Sequence, residues 1–362
     1  MPIRESSFRI GCGRYIEEAG ALAQIGAEIR RLGHAPLIVG GRTALSLTHD
    51  TFTASVRTAC SKFEVITHAG TCSEERAKEL ADLCLHNGYD VIVGVGGGVI
   101  MDFAKLCGHF VALPVINVPT SSATCACYTP LSVRYTPEGK TVGSLHYERE
   151  VDCVIADTAV IATQPVRLLL AGVFDALAKF VEIRQRYRGD ISDVPLGLDY
   201  AYAMAEHSYR VLTERTDAAI TAMRSGQITA DFEQVVFTTL AATGVISGIA
   251  RGSNQCALAH KFYEITRVLF PESARPYLHR EIVGVGLLLQ NHFNGEEERN
   301  AELLTMMRKY GMPASVKAIG ADMSGDMFEE YIRRLTASSA VDGSNPEQCR
   351  RLRQSMEYFR SL

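Results

Sequence analysis

The sequence predicts an N-terminal α/β domain built on a parallel sheet, over residues 1–163, followed by an all-helical domain over residues 164–362. Three observations carry that division. Short apolar runs alternate with helical periodicity through the first half. One such run, Val91–Val95, ends in three consecutive glycines, Gly96, Gly97 and Gly98. Beyond Pro165 the pattern is mostly helical to the C-terminus.

Taken in order, Tyr15–Leu32 has helical periodicity, and Pro36–Val39 reads as a strand closed by Gly40 and Gly41. Phe63–Thr67 is a second short strand. Glu74–Asn87 reads as a helix with Ser73 as its N-cap. Val91–Val95 is a buried strand, a helix follows from about Met101 to Gly108, and Val115–Val118 is another strand. Leu131–Tyr135 and Val154–Ala156 add strands, with a turn at Pro137–Lys140 between them. Helices are expected at Leu168–Ile183, Asp199–Val211, Asp231–Ser247, Gln255–Leu269, Glu281–His292 and Glu297–Tyr310.

Composition narrows the function classes. The chain has 362 residues, 22% of them charged, a net charge of -4, and no Lys/Arg block. A nucleic-acid role therefore has little electrostatic support. The start, MPIRESSFRI, lacks a signal-type apolar core, and no run of bilayer-spanning length is evident. Ten cysteines in a chain of this size fit a reduced, cytoplasmic setting. Cys125 and Cys127 have no matching second pair for a structural zinc site.

In a parallel sheet, ligands bind beyond the carboxyl ends of the strands. Gly96, Gly97 and Gly98 stand at one such end and Thr120, Ser121, Ser122 and Ala123 at another. Glycines there admit a phosphate to bare backbone N–H groups at a positive helix end. The run is neither a complete GxGxxG nor a P-loop, which needs a GKS or GKT ending. A dinucleotide is the leading ligand. After the first strand, Gly41 and Arg42 occupy the place where an acid would favour NAD, and Arg42 could face a 2′-phosphate. NADP(H) therefore stands beside NAD(H).

In the helical half, Asp175, His260 and His279 each lie in or at the start of an apolar helix. One carboxylate and two imidazoles suit a divalent metal with an open fourth position. Buried structural roles for each residue are the competing reading.

Taken together, GVGGGVIMDFAK, PTSSATCACYTPLSVRY, VIADTAVIATQPVRLLLAGVFDALAKF, ALAHKFY and YLHREIVGVGLL resemble the glycerol dehydrogenase branch of the iron-containing alcohol dehydrogenase superfamily. The resemblance covers most of the chain. It implies the dehydroquinate synthase-like fold, with a dinucleotide-binding α/β domain, a helical metal- and substrate-binding domain and an active site between them. It implies metal ligands at Asp175, His260 and His279. It implies dinucleotide contacts at Gly98, Val99, Ile100, Met101 and Asp102, at Thr120 through Ala123, and at Thr129, Leu131 and Tyr135. Lys179 stands where the iron-dependent branch has a further histidine, which favours zinc. Homo-oligomers are common in the family.

Three departures bear on substrate. Cys125 replaces an aspartate of glycerol dehydrogenases, as in the family's hydroxycarboxylate dehydrogenase relatives. Arg280 follows His279 in place of the usual glycine. Tyr263 stands where relatives often carry a second histidine, as a proton relay or a packing residue. The implied activity is a metal-dependent, NAD(P)-linked interconversion of a small hydroxylated compound and its carbonyl form, a hydroxycarboxylate or a glycerol-like polyol. Loss of a carboxylate at Cys125 and gain of Arg280 tilt it toward an anionic substrate. Two other readings are a sugar-phosphate cyclase-like enzyme and a catalytically eroded nucleotide-binding protein.

Overall fold

The structure, a computed structural model, describes residue 8 and residues 10–187, 196–251 and 255–362. Most of the N-terminal decapeptide read above for a targeting segment lies outside the described residues. Two compact units emerge. One comprises Arg9–Gly172 with Val211–Gly248, the other Met1–Phe8, Val173–Arg210 and Ile249–Leu362. This grouping differs from a single cut near residue 163, because the chain returns to the first unit for Val211–Gly248.

The first unit holds eight strands, β1 (Tyr15–Glu18), β2 (Pro36–Gly40), β3 (Glu64–Thr67), β4 (Val91–Gly96), β5 (Val115–Pro119), β6 (Leu131–Tyr135), β7 (Thr141–His146) and β8 (Cys153–Asp157). Six form one sheet in the order β1-β8-β5-β4-β2-β3, and every pairing in it is parallel. Strands β6 and β7 form a separate antiparallel hairpin. The sheet is covered by α1 (Ile25–Leu32), α2 (Arg42–Ala59), α3 (Glu74–Asn87) and α4 (Gly98–Val111), and α5 (Thr158–Ile161) follows β8.

Burial on both faces explains why the central strands read as continuous apolar runs. Val91, Val93 and Val95 join Ile38, Ile116 and Val118 on one face, under Ile25, Ile29, Phe52 and Val56. Leu37, Val39 and Ile92 face the other way, against Phe103, Leu106, Leu80 and Cys84. The alternation within β4 is the two-residue period of a strand.

Beyond residue 165 the described residues form helices joined by loops, with a 3₁₀ turn at Lys317–Ile319 besides the elements that follow. The elements are α6 (Val166–Arg186), α7 (Leu198–Arg224), α8 (Ala230–Phe237), a π-helical turn (Thr238–Ala242), α9 (Thr243–Ala250), α10 (Leu258–Leu269), α11 (Pro271–Ala274), α12 (His279–Asn294), α13 (Arg299–Lys309), α14 (Gly325–Thr336) and α15 (Pro346–Ser361). In the helical unit α10 packs on α12, and α14 and α15 pack against this pair. A Cβ at Gly286 of α12 would lie 2.8 Å from the carbonyl oxygen of Ala259, so glycine permits the close approach of the two backbones.

Four points add to or depart from the sequence reading. Tyr15–Glu18 is a strand, not the start of a helix. The left-handed Gly20 (φ 84°) separates it from the helical turns that begin at Ala21. Helix α2 is missing from the sequence reading. Its Thr and Ser content lowers helix propensity, yet Ala44, Thr48, Phe52 and Val56 recur every fourth residue on its buried face. Ser73 stands at the N-cap of α3, as expected, but makes no side-chain cap hydrogen bond. Finally, Ala230–Ala250 forms one run of 21 residues long and apolar enough to cross a bilayer, although 56% of its most apolar stretch is buried in the protein. That burial is the mark of a core helix.

Candidate active site

The chain visits β2 and β3 on one side of the sheet and then returns to place β4 on the other side of β2. The crevice at such a reversal is where open parallel sheets bind ligands. Gly40 is in register with Val95, and Gly96 with Pro119. The loops carrying Gly41 and Arg42, Gly96 to Gly98, and Thr120 to Ala123 therefore lie side by side at one carboxyl edge. The Thr120 N–H donates to the Gly96 carbonyl at 3.0 Å, tying two of these loops together.

Gly96 has φ 156°, a conformation that disfavours side chains, and Gly97 precedes α4 with no side-chain cap. The first-turn N–H groups of α4 therefore lack a protein-supplied cap, and the positive helix end suits a phosphate. Val99 and Arg42 are exposed, while Ile100, Met101, Asp102, Ser121 and Ser122 are buried. Asp102 pairs with Lys105 at 2.9 Å and accepts the Val133 N–H at 3.2 Å. Lys105 also donates to the carbonyls of Ala126 (2.6 Å), Thr129 (3.0 Å) and Leu131. This buried lysine fixes the segment that carries Thr129, Leu131 and Tyr135 against α4. Gln164 engages both the N–H and the hydroxyl of Ser122 at 2.9 Å. Cys125 lies in a half-buried turn of 3₁₀ helix, Cys125–Cys127. The three-glycine cradle fits a dinucleotide.

In the helical unit, Asp175 on α6, His260 on α10 and His279 at the first position of α12 converge. Their donor atoms lie within 4.8 Å of one another. His260 Nε2 is 3.7 Å from Asp175 Oδ1. Bonds of roughly 2.0–2.2 Å to a tetrahedral cation place ligand atoms roughly 3.4 Å apart, so this donor set and spacing fit a divalent metal.

The electrostatics prepare two of the three groups for that use. The exception is His260: burial would lower it, but Cys256, Glu182 and Asp175 hold it well above the usual imidazole range, so a cation would have to displace its Nε2 proton. Burial alone would raise the Asp175 carboxyl, but Arg280, His260 and Lys179 hold it well below the usual carboxylate range. Arg280 Nε lies 3.1 Å from Asp175 Oδ2. Burial, then Arg280, pushes His279 well below the usual imidazole range, leaving a neutral ring with a lone pair. Lys179 is buried and donates to Gln255 Oε1 at 3.0 Å. An ammonium cannot ligate a cation, so the described residues offer three donors here.

Two carboxylates to which the sequence reading gave no role hold the two histidines in place. Glu182 is fully buried; its Oε2 accepts His260 Nδ1 at 2.5 Å. It stands seven residues after Asp175, two turns along the same face of α6, and that spacing in an apolar helix is the signal that could have revealed it. Glu281 accepts the Leu278 N–H at 2.8 Å and so secures the helix start that bears His279. The Tyr263 ring packs on the His279 ring, with centroids 3.9 Å apart, and the Arg267 guanidinium lies over the Tyr263 ring, 5.6 Å from its centroid.

Comparison with known proteins agrees with this geometry. The Iron-containing alcohol dehydrogenase family matches residues 12–158. Glycerol dehydrogenase of Thermotoga maritima is 31% identical over 87% of this chain and 85% of its own. Hydroxycarboxylate dehydrogenase A of Escherichia coli is 32% identical over 70% of this chain and 69% of its own. The crystal structure of glycerol dehydrogenase from Schizosaccharomyces pombe, 22% identical, shares the fold with a TM-score of 0.81 over 97% of this chain and 89% of that one. The parallel sheet with its glycine edge, the helical unit with its Asp–His–His cluster, and these relatives agree: the chain belongs to the glycerol dehydrogenase branch of the iron-containing alcohol dehydrogenase superfamily.

Proposed function

We propose that this protein is a zinc-dependent dehydrogenase that interconverts a small hydroxylated acid and its oxo acid, with Asp175, His260 and His279 as the metal ligands. At the coarser level it is a metal-associated, NAD(P)-linked oxidoreductase acting on CH–OH groups. The observation that carries the reading is the convergence of three metal donors within 4.8 Å in a buried setting. Zinc is favoured over iron because the buried Lys179 stands where a fourth protein ligand would be.

When bound, the cation would polarise the alcohol or carbonyl oxygen while the dinucleotide accepts or supplies the hydride. The chain's own residues prepare that step. Asp175 is held ionised and His279 neutral, so both present lone pairs. Arg280 neutralises Asp175 and is partly exposed beside it, at 25% of its side chain. A cation would take over that neutralisation, leaving the guanidinium to pair with a carboxylate on the substrate. Cys125, in place of an acid, removes a repulsion against such a substrate.

On the α/β unit, Gly96 to Asp102 and Thr120 to Ala123 supply the pyrophosphate and ribose contacts, with Thr129, Leu131 and Tyr135 contributing further ones. The exposed Arg42 beside Gly41 supports a 2′-phosphate and hence NADP(H). Ten free thiols support a cytoplasmic setting, and the family resemblance supports a homo-oligomer. Tyr263, packed on His279, supports the ring and is not assigned the proton.

Turnover of 2-oxo acids, glycerol and simple aldehydes, each with both cofactors and added zinc, tests the reading. Fastest turnover of a 2-oxo acid with NADPH is expected. Activity confined to glycerol and NAD would overturn both the substrate and the cofactor assignment.

A further inference from the structure

Glu182 makes three hydrogen bonds at the start of α10, two of them to His260. Its Oε1 accepts the backbone N–H of Ala257 at 2.7 Å and of His260 at 3.0 Å. Its Oε2 lies 2.5 Å from His260 Nδ1. Helix α10 begins with no cap from its own N-cap residue, Ala257. The cap comes instead from Glu182, with Gln290 Oε1 accepting the Leu258 N–H at 2.7 Å. The backbone bonds thus set where the helix starts, and the ring bond sets which nitrogen of its histidine carries a proton.

We propose that Glu182 is a positioning residue that locks His260 with its proton on Nδ1 and so turns the Nε2 lone pair toward Asp175 and the metal. An ionised carboxylate accepts only, so the ring must donate from Nδ1, and Nε2 is the nitrogen left facing Asp175, where a cation would take the place of any proton. The distances separate this arrangement from its rival. Glu182, Cys256 and His260 also bring donor atoms within 4.8 Å of one another. A cation shared between Nδ1 and Oε2 would need them roughly 3.4 Å apart, and the observed 2.5 Å is a hydrogen bond. The Nε2 to Asp175 separation of 3.7 Å has the room that a shared cation requires. A carboxylate behind a ligating imidazole both orients the ring and makes it more basic.

This role rests on the metal centre proposed above, and a substitution can separate it from a plain structural one. In Glu182→Gln the amide oxygen can still accept both backbone N–H groups. The amide NH₂ would then face His260 Nδ1 and demand its lone pair, which moves the ring proton to Nε2 and blocks ligation. Glu182→Asp keeps the acceptor-only chemistry but shortens the side chain, leaving a cavity.

The experiment measures zinc affinity by chelator competition on the full-length protein, together with thermal unfolding of the metal-free forms. Glu182→Gln should bind zinc about 10–100-fold more weakly with a metal-free Tm close to wild type. Glu182→Asp should keep more of the zinc affinity while unfolding at a lower temperature. Unchanged zinc affinity in Glu182→Gln, or affinity losses that follow Tm across both variants, would overturn the positioning role. Failure of the wild type to bind zinc would overturn the metal centre itself and this role with it. Should Glu182→Gln not fold, histidine nitrogen NMR of the zinc-loaded wild type decides. A proton on Nδ1 of His260 supports the role, and one on Nε2 overturns it.

Discussion

Arg280 meets two demands for charge, one from Asp175 and one proposed for the substrate. Replacing it by glutamine keeps a polar side chain but removes the cation. The expected result is a loss of about 10–100-fold in kcat/KM for a 2-oxo acid, the worth of a hydrogen bond to a charged group, with less than about 3-fold change for a neutral aldehyde. Equal losses for both substrates would show that Arg280 serves only Asp175. Glu17 of β1, in the α/β unit, offers a second test. Burial, partly offset by a hydrogen bond from Tyr15 and reinforced by Glu233, raises its carboxyl from 4.5 to about 7. Below pH 4.5 the folded and unfolded chains both hold the proton. Between 4.5 and about 7 only the unfolded chain releases it, so stability falls as pH rises, and the full cost applies above 7. Glu17→Gln should therefore stabilise the protein at pH 8, by on the order of 1–2 kcal/mol after allowance for partial exposure, and leave it unchanged at pH 4. Denaturant titrations at both pH values check this; equal stabilisation at both would sink it. At this scale Asp175, His260 and His279 drew notice as ionisable groups in apolar helices, and the resemblance, not their spacing, made them a candidate ligand set. Glu182 and Glu281 did not, because a carboxylate that serves another side chain or a helix start carries no motif of its own.

Among elements, strands buried on both faces were the most legible, since β2, β4, β5 and β8 are apolar at nearly every position. Helix α2 was hidden by its threonines, and β1 by the helical turns that follow it. The hairpin of β6 and β7 was half legible, because β7 is largely exposed and shows little apolar alternation. The close contact of α10 and α12 depends on a residue with no side chain, so hydrophobic patterning says nothing about it. Gly286→Ala tests it directly. A methyl 2.8 Å from the Ala259 carbonyl must push the helices apart. Overpacking of this kind costs about 1–3 kcal/mol. Both a lower Tm and weaker zinc binding are expected, because His260 and His279 lie on the two helices that separate. Wild-type values of both would show that α10 and α12 have slack at this point.

For the molecule as a whole, the sequence pattern identified an α/β part and a helical part, but not the return of Val211–Gly248 to the α/β unit. A helical run looks the same whichever core it joins, and only the contacts decide. Zinc that binds the folded chain should stabilise it by about 2.7 kcal/mol at 100 times its Kd, a rise of several °C in Tm that a chelator reverses. His279→Ala should abolish the rise, and its persistence would place the metal elsewhere. The support of His260 by Glu182, 78 positions earlier in the chain, also has a consequence for how the protein reaches its working state. Contacts so distant along the chain close late in folding, whereas each of the ten cysteines is a zinc-binding thiol while the chain is still open. Zinc present during refolding is thus offered the wrong ligands first. The yield of active protein should be higher when the ion is added after refolding than when it is present from the start.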